Sequence, residues 1–295
     1  MRRALAFAAV LWILGIGCSA SPLTILYTND LHLNFSRLAS IEQRIAEERA
    51  RGMPILLLDG GDAWQDFRRP LAAVWGADEM VDWMNRVGYD AMALGNHDLY
   101  WGPWRLEQLA ERATFSILCS NLRPIRAGSS PFAASARLDV QGTSVLLVGL
   151  ITDQWLPYPS YPAYRWIPPE KAVQEELDRG ARRSDLLVVI AHLPIAEAIR
   201  VASEVPAIDV FITGHSHERT DDPIRVGDTL IVQTGAFAEN LGRLVVDIDS
   251  ASEEHRLIAH ELLPTEKAPL DVEQGLLRLL AVACTTAAVL LLVLL

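Results

Sequence analysis

The chain has 295 residues, of which 51% are hydrophobic and 21% charged, and its formal charge is −11. That composition is globular, which excludes a disordered or fibrous chain, and Cys18, Cys119 and Cys284 are too few and too scattered for a disulfide-stapled mini-fold. The negative charge opposes polyphosphate backbones and anionic headgroups, so no nucleic-acid polymer is an expected partner, and any bound phosphate needs a local device.

Arg2 and Arg3 precede an uncharged run from Ala4 to Gly17, the order of a secretory signal. Residues 1–20 are therefore expected to be a signal peptide cleaved after Ala20, or an N-terminal anchor, with lipidation of Cys18 as a further alternative. The remainder is expected to be exported, facing the periplasm or the cell exterior.

From Thr24 onward the pattern alternates strand and helix. Thr24 to Thr28 is a short apolar run, followed by Ser36 as a helix N-cap and by Leu38, Ile41 and Ile45 at helical spacing, with Gly52 closing the helix. Ile55 to Leu58 predicts the next strand. Met80, Val81, Met84 and Val87 predict a helix ending at Gly88. Strands follow at Asp90–Leu94, Phe115–Cys119, Val145–Ile151, Leu186–Ala191, Val210–Thr213, Leu230–Gln233 and Leu244–Ile248, with helices around Lys171–Arg183 and Pro194–Ser203. Pro223–Val226, the Gly227-Asp228 turn and Thr229–Gln233 predict a β-hairpin. The alternation predicts an α/β domain over residues 21–264, with largely buried mixed sheets. Residues 265–278 are expected to be a juxtamembrane segment. Leu279–Leu295 is a charge-free run at the lower length limit for a spanning helix, so membrane attachment through residues 279–295 is expected.

The polar motifs fall where these strands stop. They are Asn29-Asp30-Leu31-His32, Gly60-Gly61-Asp62, Gly95-Asn96-His97-Asp98, Ala191-His192 and Gly214-His215-Ser216-His217, and they hold five of the seven histidines. Ligands of open α/β sheets bind beyond the carboxyl ends of the strands, so the five segments can converge on one crevice. Asp30 and His32 in extended backbone would share a face, as would His215 and His217. A carboxylate, an amide oxygen and neutral imidazoles suit a divalent transition metal such as Mn, Fe, Co, Ni or Zn. Each motif alone is also ordinary turn or loop chemistry; five in this order, each after a predicted strand, are not. No Gly-Lys pair exists, so a P-loop is absent.

These blocks resemble the signature of the calcineurin-like metallophosphoesterases. The flanks, including Leu23–His32, Leu57–Asp62, Gly88–His97 and Leu241–Leu244, are similar to its 5′-nucleotidase branch. The resemblance implies a four-layer sandwich of two mixed β-sheets flanked by helices, with a two-metal site at one edge. It implies that Asp30, His32 and His217 hold one cation, that Asn96, His192 and His215 hold the other, and that Asp62 bridges them. Two cations about 3.5 to 4 Å apart share a water, lower its pKa and neutralise a phosphoryl group under attack. His97 would then protonate the leaving oxygen or hydrogen-bond a phosphoryl oxygen, with Asp98 orienting it.

The implied activity is hydrolysis of small phosphoesters, nucleotides foremost. Another oxyanion ester of sulfate or thiosulfate type is the alternative, and a non-catalytic metal-containing surface protein a further one. Two departures from the branch limit what carries over: Tyr100 stands where an Asp is usual, and the chain ends in the apolar tail where a base-clamping second domain is usual. Trp155, Tyr158, Tyr161, Tyr164 and Trp166, set among prolines, are candidate substrate contacts, and otherwise a cover over the core or a membrane-facing loop. Trp101 and Trp104 raise the same question.

Overall fold

A computed structural model describes residues 22–66, 75–125, 130–154, 156, 160–179, 184–249 and 254–268. The first half of the chain interleaves β1 (Leu23–Thr28), α1 (Phe35–Arg49), β2 (Ile55–Asp59), α2 (Gly76–Val87), β3 (Ala91–Ala93), α3 (Pro103–Arg112) and β4 (Ser116–Leu118). A 3-10 turn over His97–Leu99 separates β3 from α3. The short strands β5 (Leu122–Pro124) and β8 (Tyr164–Trp166) pair as a separate ribbon. The second half contains β6 (Ser135–Val140), β7 (Thr143–Ile151), α4 (Pro169–Asp178), β9 (Leu186–His192), α5 (Ile195–Glu204), β10 (Val210–Ile212), β11 (Ile224–Val226) and β12 (Thr229–Val232). The chain then returns through β13 (Asn240–Asp249) and β14 (Glu254–Pro264).

Two six-stranded sheets result, with orders β14-β13-β1-β2-β3-β4 and β11-β12-β10-β9-β7-β6. Strands β1 to β4 are parallel to one another, as are β12, β10, β9 and β7; antiparallel strands close the sheets at the remaining positions. Period-two alternation explains why both faces are apolar. Leu23, Ile25 and Tyr27 of β1 point between the sheets, where they meet Leu56, Leu58, Val188, Ile190 and Val210. Leu26 and Leu57 point the other way, onto Leu38, Ile41, Met80 and Met84 of the helices. On the far side, Leu187 and Val189 meet Val173, Ala198 and Val201 of α4 and α5. Each such buried aliphatic side chain contributes about 1.5–3 kcal/mol. This is the expected four-layer α/β sandwich.

The predicted helices behave as their periodicity demands, with one local correction. Gly88 caps α2 at φ 73° and ψ 56°, a left-handed turn in which its amide bonds Met84 and Asn85 carbonyls. Helix α1 starts one residue before Ser36, and no side chain caps it; the Ser36 hydroxyl donates to Asn34 Oδ1 at 2.9 Å instead. Beyond Pro264, the Thr265 amide bonds the Glu239 carbonyl and the Ala268 amide that of Ser36, so packing on α1 continues past the strand. The expected signal and tail segments, residues 1–20 and 279–295, lie outside the described residues. Among the described residues no helix is long and apolar enough to cross a membrane.

Candidate metal centre

Strands β1 and β2 end side by side at Thr28 and Asp59, and their loops keep pairing beyond the ends. The Asp30 amide donates to the Gly61 carbonyl at 2.8 Å, His32 to Asp62 at 2.9 Å and Leu33 to Ala63 at 3.2 Å. The Asp-x-His and His-x-His pairs do not sit in extended backbone. Asp30, His32, Asp62, His215 and His217 have φ of 50°, 48°, 58°, 74° and 58°, so sharp left-handed corners aim these side chains. Gly95 allows the third loop to close in: a Cβ there would lie 2.0 Å from Asp62 Oδ1.

The five motifs converge. Asp30, His32 and His217 bring one ligand atom each within 4.8 Å of one another, and so do Asp30, Asp62 and His192. Asp30 Oδ1 is 3.2 Å from His217 Nε2 and 3.5 Å from His32 Nε2. Asp62 Oδ2 stands between the two sets, 3.0 Å from His192 Nε2 and 3.8 Å from His32 Nε2. Asn96 Oδ1 and His215 Nδ1 are 3.0 Å apart, and the His215 and His192 rings meet edge to face. Every residue of the expected ligand set therefore lies in one cluster.

The outward ring atoms are fixed by carbonyls. His32 Nδ1 donates to the Gln65 carbonyl at 3.3 Å and His192 Nδ1 to that of Gly60 at 3.0 Å, which leaves both Nε2 atoms facing the cluster. Gln154 Oε1 lies 3.4 Å from His215 Nε2 and turns that ring's Nδ1 inward. Asp30 Oδ2 accepts from Asn29 Nδ2 at 2.8 Å and from the His215 amide at 3.0 Å. Its Oδ1 and the His192 Nε2 are buried and make no hydrogen bond, and they face each other at 3.9 Å. His192 Nε2 approaches Asp62 Oδ2 closely, but not in hydrogen-bond alignment. Buried polar atoms are almost always paired, so an oxygen and an imidazole nitrogen left open towards a common space fit a divalent cation.

The electrostatics agree. Burial opposes the charge on Asp62, yet His192, His32 and His97 hold its carboxyl down at about 2. Burial likewise opposes the charge on Asp30, and His192, His217 and His32 keep that carboxyl well below the usual range. Burial would lower His192, but Asp62 and Asp30 raise it to about 10; burial and the neighbouring His192 push His215 down to about 4. Carboxylates this strongly held by imidazoles are a site prepared for positive charge.

His97 lies at the rim, its Nε2 4.0 Å from Asp62 Oδ2 and its ring edge-on to His32. Burial lowers its pKa. Asp98 does not turn towards the His97 ring. Its Oδ2 accepts from the Asp62 amide at 2.8 Å and the Gly95 amide at 2.9 Å, and its Oδ1 from the Trp64 amide at 3.2 Å. Tyr100 occupies the place beside His97, with ring centroids 4.7 Å apart, and its hydroxyl accepts from Asn96 Nδ2 at 3.4 Å. Of the aromatic candidates, Tyr161 is buried in the core under the first sheet, and Tyr164 and Trp166 pack against it. The Trp166 indole donates to the Ile151 carbonyl at 3.3 Å. These three thus cover the core, and Trp155 and Tyr158 lie outside the described residues.

Several contributors had no role assigned from the sequence. Phe237, at φ 57°, receives an Asn34 amide hydrogen bond on its carbonyl and lays its ring against His32 and His217. Asn29 ties Asp30 to Thr234 and Gly235. Asp59 accepts from Thr28 Oγ1 at 2.6 Å and from the Gly61 amide at 2.8 Å, bracing the Gly60-Gly61 turn from behind. Asn29 opens the first motif and Asp59 adjoins the second, so the motifs themselves were their signal; Phe237 and Gln154 carry none.

Residues 23–219 match the model of the calcineurin-like phosphoesterases. The chain is 30% identical to a snake venom 5′-nucleotidase of Gloydius brevicauda, over 80% of this chain and 47% of that protein. It is 28% identical to the 5′-nucleotidase of Bos taurus, over 84% of this chain and 50% of that protein. A crystal structure of a 5′-nucleotidase precursor from Thermus thermophilus superposes with a TM-score of 0.73 at 25% identity, covering 90% of this chain and 59% of that one. The chain spans about half the length of the curated relatives it matches. With the family model spanning β1 through the His-x-His loop that completes the cluster, this chain belongs to the calcineurin-like phosphoesterase family.

Proposed function

We propose that this chain is a metal-dependent hydrolase of small phosphoesters, nucleotides being the leading class. The observation that carries the proposal is the pair of open, buried atoms, Asp30 Oδ1 and His192 Nε2, grouped with the Asp62 carboxylate. Asp30, His32 and His217 would hold one divalent cation and Asn96, His192 and His215 a second, with Asp62 shared. Two such cations, of Mn, Zn, Fe, Co or Ni type, supply a nucleophile at neutral pH and neutralise phosphoryl oxygens. A protein of net charge −11 would thereby accept an anionic substrate.

The chain's own groups then divide the work. The carbonyls of Gln65 and Gly60 fix the tautomers of His32 and His192, and Gln154 that of His215. His97 is kept neutral by burial and still carries one N–H, which suits donation to a phosphoryl oxygen as charge develops there. The names of the relatives support nucleotides as substrates. Export rests on the Arg2-Arg3 signal pattern.

The test is phosphate release from nucleoside monophosphates, sugar phosphates and cyclic nucleotides, with and without added Mn²⁺, beside sulfate and thiosulfate esters. Metal-dependent phosphate release is expected, and His97→Ala should lower turnover by about 10²-fold with metal content retained. Release from sulfate-type esters alone, or from none of the panel, refutes the proposal.

A further inference from the structure

Gln233 is fully buried directly after β12, where its side chain meets the loop that carries His215 and His217. The amides of His217 and Glu218 converge on one end of that side chain at 3.1 and 3.2 Å, and the Ser216 hydroxyl lies 3.1 Å from the other. Two backbone N–H groups can be met only by the amide oxygen, so Nε2 is the end that donates to Ser216 Oγ. The backbone of the same residue closes the loop behind: the Gln233 amide donates to Thr220 Oγ1 at 2.8 Å, and the Thr220 amide to the Gln233 carbonyl at 3.0 Å. One residue therefore grips the loop on both sides of His217.

His217 depends on such a grip. It stands at φ 58°, a conformation that persists only where its surroundings fix it. Its side chain is 33% exposed, against 0% for Asp30 and 1% for His32, so core packing alone does not aim the ring. Its Nε2 nevertheless lies 3.2 Å from Asp30 Oδ1 and 3.1 Å from His32 Nε2. The next residues serve the other loop of the same trio: Thr234 and Gly235 bond Asn29, which bonds Asp30, and the Phe237 amide donates to the Asp30 carbonyl at 2.7 Å. The second trio is supported differently. His192 sits in the ladder at the end of β9, and His215 is held by Asp30 Oδ2 on its amide and by Asn96 and Gln154 on its ring.

We infer that Gln233 is the positioning residue for the cation of Asp30, His32 and His217: its amide sets the backbone that aims His217, and without it that cation is lost before its neighbour. Removing the amide leaves the His217 and Glu218 N–H groups without their acceptor, so the corner relaxes at the one ligand of the trio that the core does not hold. The inference rests on the two-cation reading of the proposed function and makes the two positions unequal in a stated order.

The experiment titrates Mn²⁺ into the wild type, Gln233→Leu, Gln233→Glu, His217→Ala and the Gln233→Leu/His217→Ala double variant, reading bound metal per chain and the electron paramagnetic resonance of the bound ion. The wild type should bind two cations and show the broad signal of a coupled pair. Gln233→Leu should weaken one of them by about 10-fold or more and, at the Mn²⁺ concentration that fills the wild type, show the sharper signal of an isolated ion. Gln233→Glu, whose carboxylate still accepts both amides, should keep the pair. The double variant should bind no worse than His217→Ala, since the amide acts through that ring. Two cations at wild-type affinity in Gln233→Leu overturn the inference, as does an equal weakening of both, the result of a merely structural role. Where the leucine variant does not fold, Gln233→Asn, whose amide falls one methylene short, is read by the same criteria. A wild type that holds the coupled pair and hydrolyses no ester refutes the phosphoesterase proposal and leaves the clamp; one that binds a single cation overturns the clamp.

Discussion

Replacing Asp98 by Asn separates two roles that its place beside His97 confuses. The carboxylate takes the amides of Asp62, Gly95 and Trp64 at 2.8, 2.9 and 3.2 Å, so it joins the loop of the shared Asp62 to the loop of Asn96. An asparagine retains one oxygen. If that oxygen keeps the Asp62 and Gly95 amides, the new NH₂ faces the Trp64 N–H, donor against donor. One hydrogen bond worth about 0.5–1.5 kcal/mol is lost, and a buried donor is left open at a further cost of about 1–3 kcal/mol, so Asp98→Asn should destabilise by about 1.5–4.5 kcal/mol. Burial and Asp62 raise the Asp98 pKa from the ordinary 3.8 to about 7, so the wild type loses stability as pH rises over that range and the asparagine variant does not; unfolding by urea should be followed near pH 5 and near pH 8, with the larger deficit at the lower pH. Affinity for Mn²⁺ should fall with stability, because both loops carry expected ligands. A normal unfolding midpoint and normal metal affinity, with a loss confined to kcat, would refute the clamp and favour Asp98 as the orienter of His97.

Other perturbations probe the same architecture. Gly95→Ala places a Cβ 2.0 Å from Asp62 Oδ1, so the loop must retreat; metal content after dialysis should drop well below that of the wild type, and full retention would contradict the geometry. Arg243→Ala strips Glu48, nearly fully buried, of the guanidinium that donates to its Oε2 at 2.8 Å and leaves Arg51 on Oε1 at 3.2 Å; a loss of about 1–3 kcal/mol in denaturant unfolding is expected. His192 is protonated in the metal-free chain, held up to about 10 by Asp62 and Asp30 against burial, so a cation must displace that proton. Metal affinity should therefore rise with pH over about pH 6 to 8, and calorimetry in buffers of different ionisation enthalpy should detect proton release. The raised value has a second consequence: its stabilising contribution is full below the ordinary 6.5 and is lost as pH rises through about 10, so the metal-free protein should weaken across that window.

What the sequence showed and what it hid follow one physical line. Parallel strands buried on both faces read as unbroken apolar runs, so β1, β2, β7, β9 and β10 were legible, and so were the motifs at their ends. Strand β6, with exposed Arg137 and Asp139 on its outer face, carries no such run, and β14, at a sheet edge, breaks its apolar residues into short blocks separated by polar ones. Helix α3 offers only Leu106 and Leu109 as a buried pair, too short a period to read. In the site, residue types announced ligands, but direction did not follow. The 3-10 turn that presents His97 sends Asp98 back into the loops, and no spacing rule separates those outcomes for adjacent residues.

The left-handed corners were hidden for the same reason, and they bear on why the cluster is worth building. A non-glycine residue in that region costs roughly 1–2 kcal/mol, so Asp30, His32, Asp62, His215 and His217 together store on the order of 5–10 kcal/mol. The ladder of loop amides from Asp30 to Leu33 onto Gly61 to Ala63, and the Phe237 amide on the Asp30 carbonyl, offset part of that. A ligand that binds only the folded cluster offsets more by mass action. Strain concentrated at expected ligands, and held by hydrogen bonds between loops that share no strand, is what a centre requires when its geometry must precede its cation. Thermal unfolding should therefore shift upward with Mn²⁺ in the wild type and much less in Asp62→Asn, whereas equal shifts in both would locate the stabilising ion elsewhere.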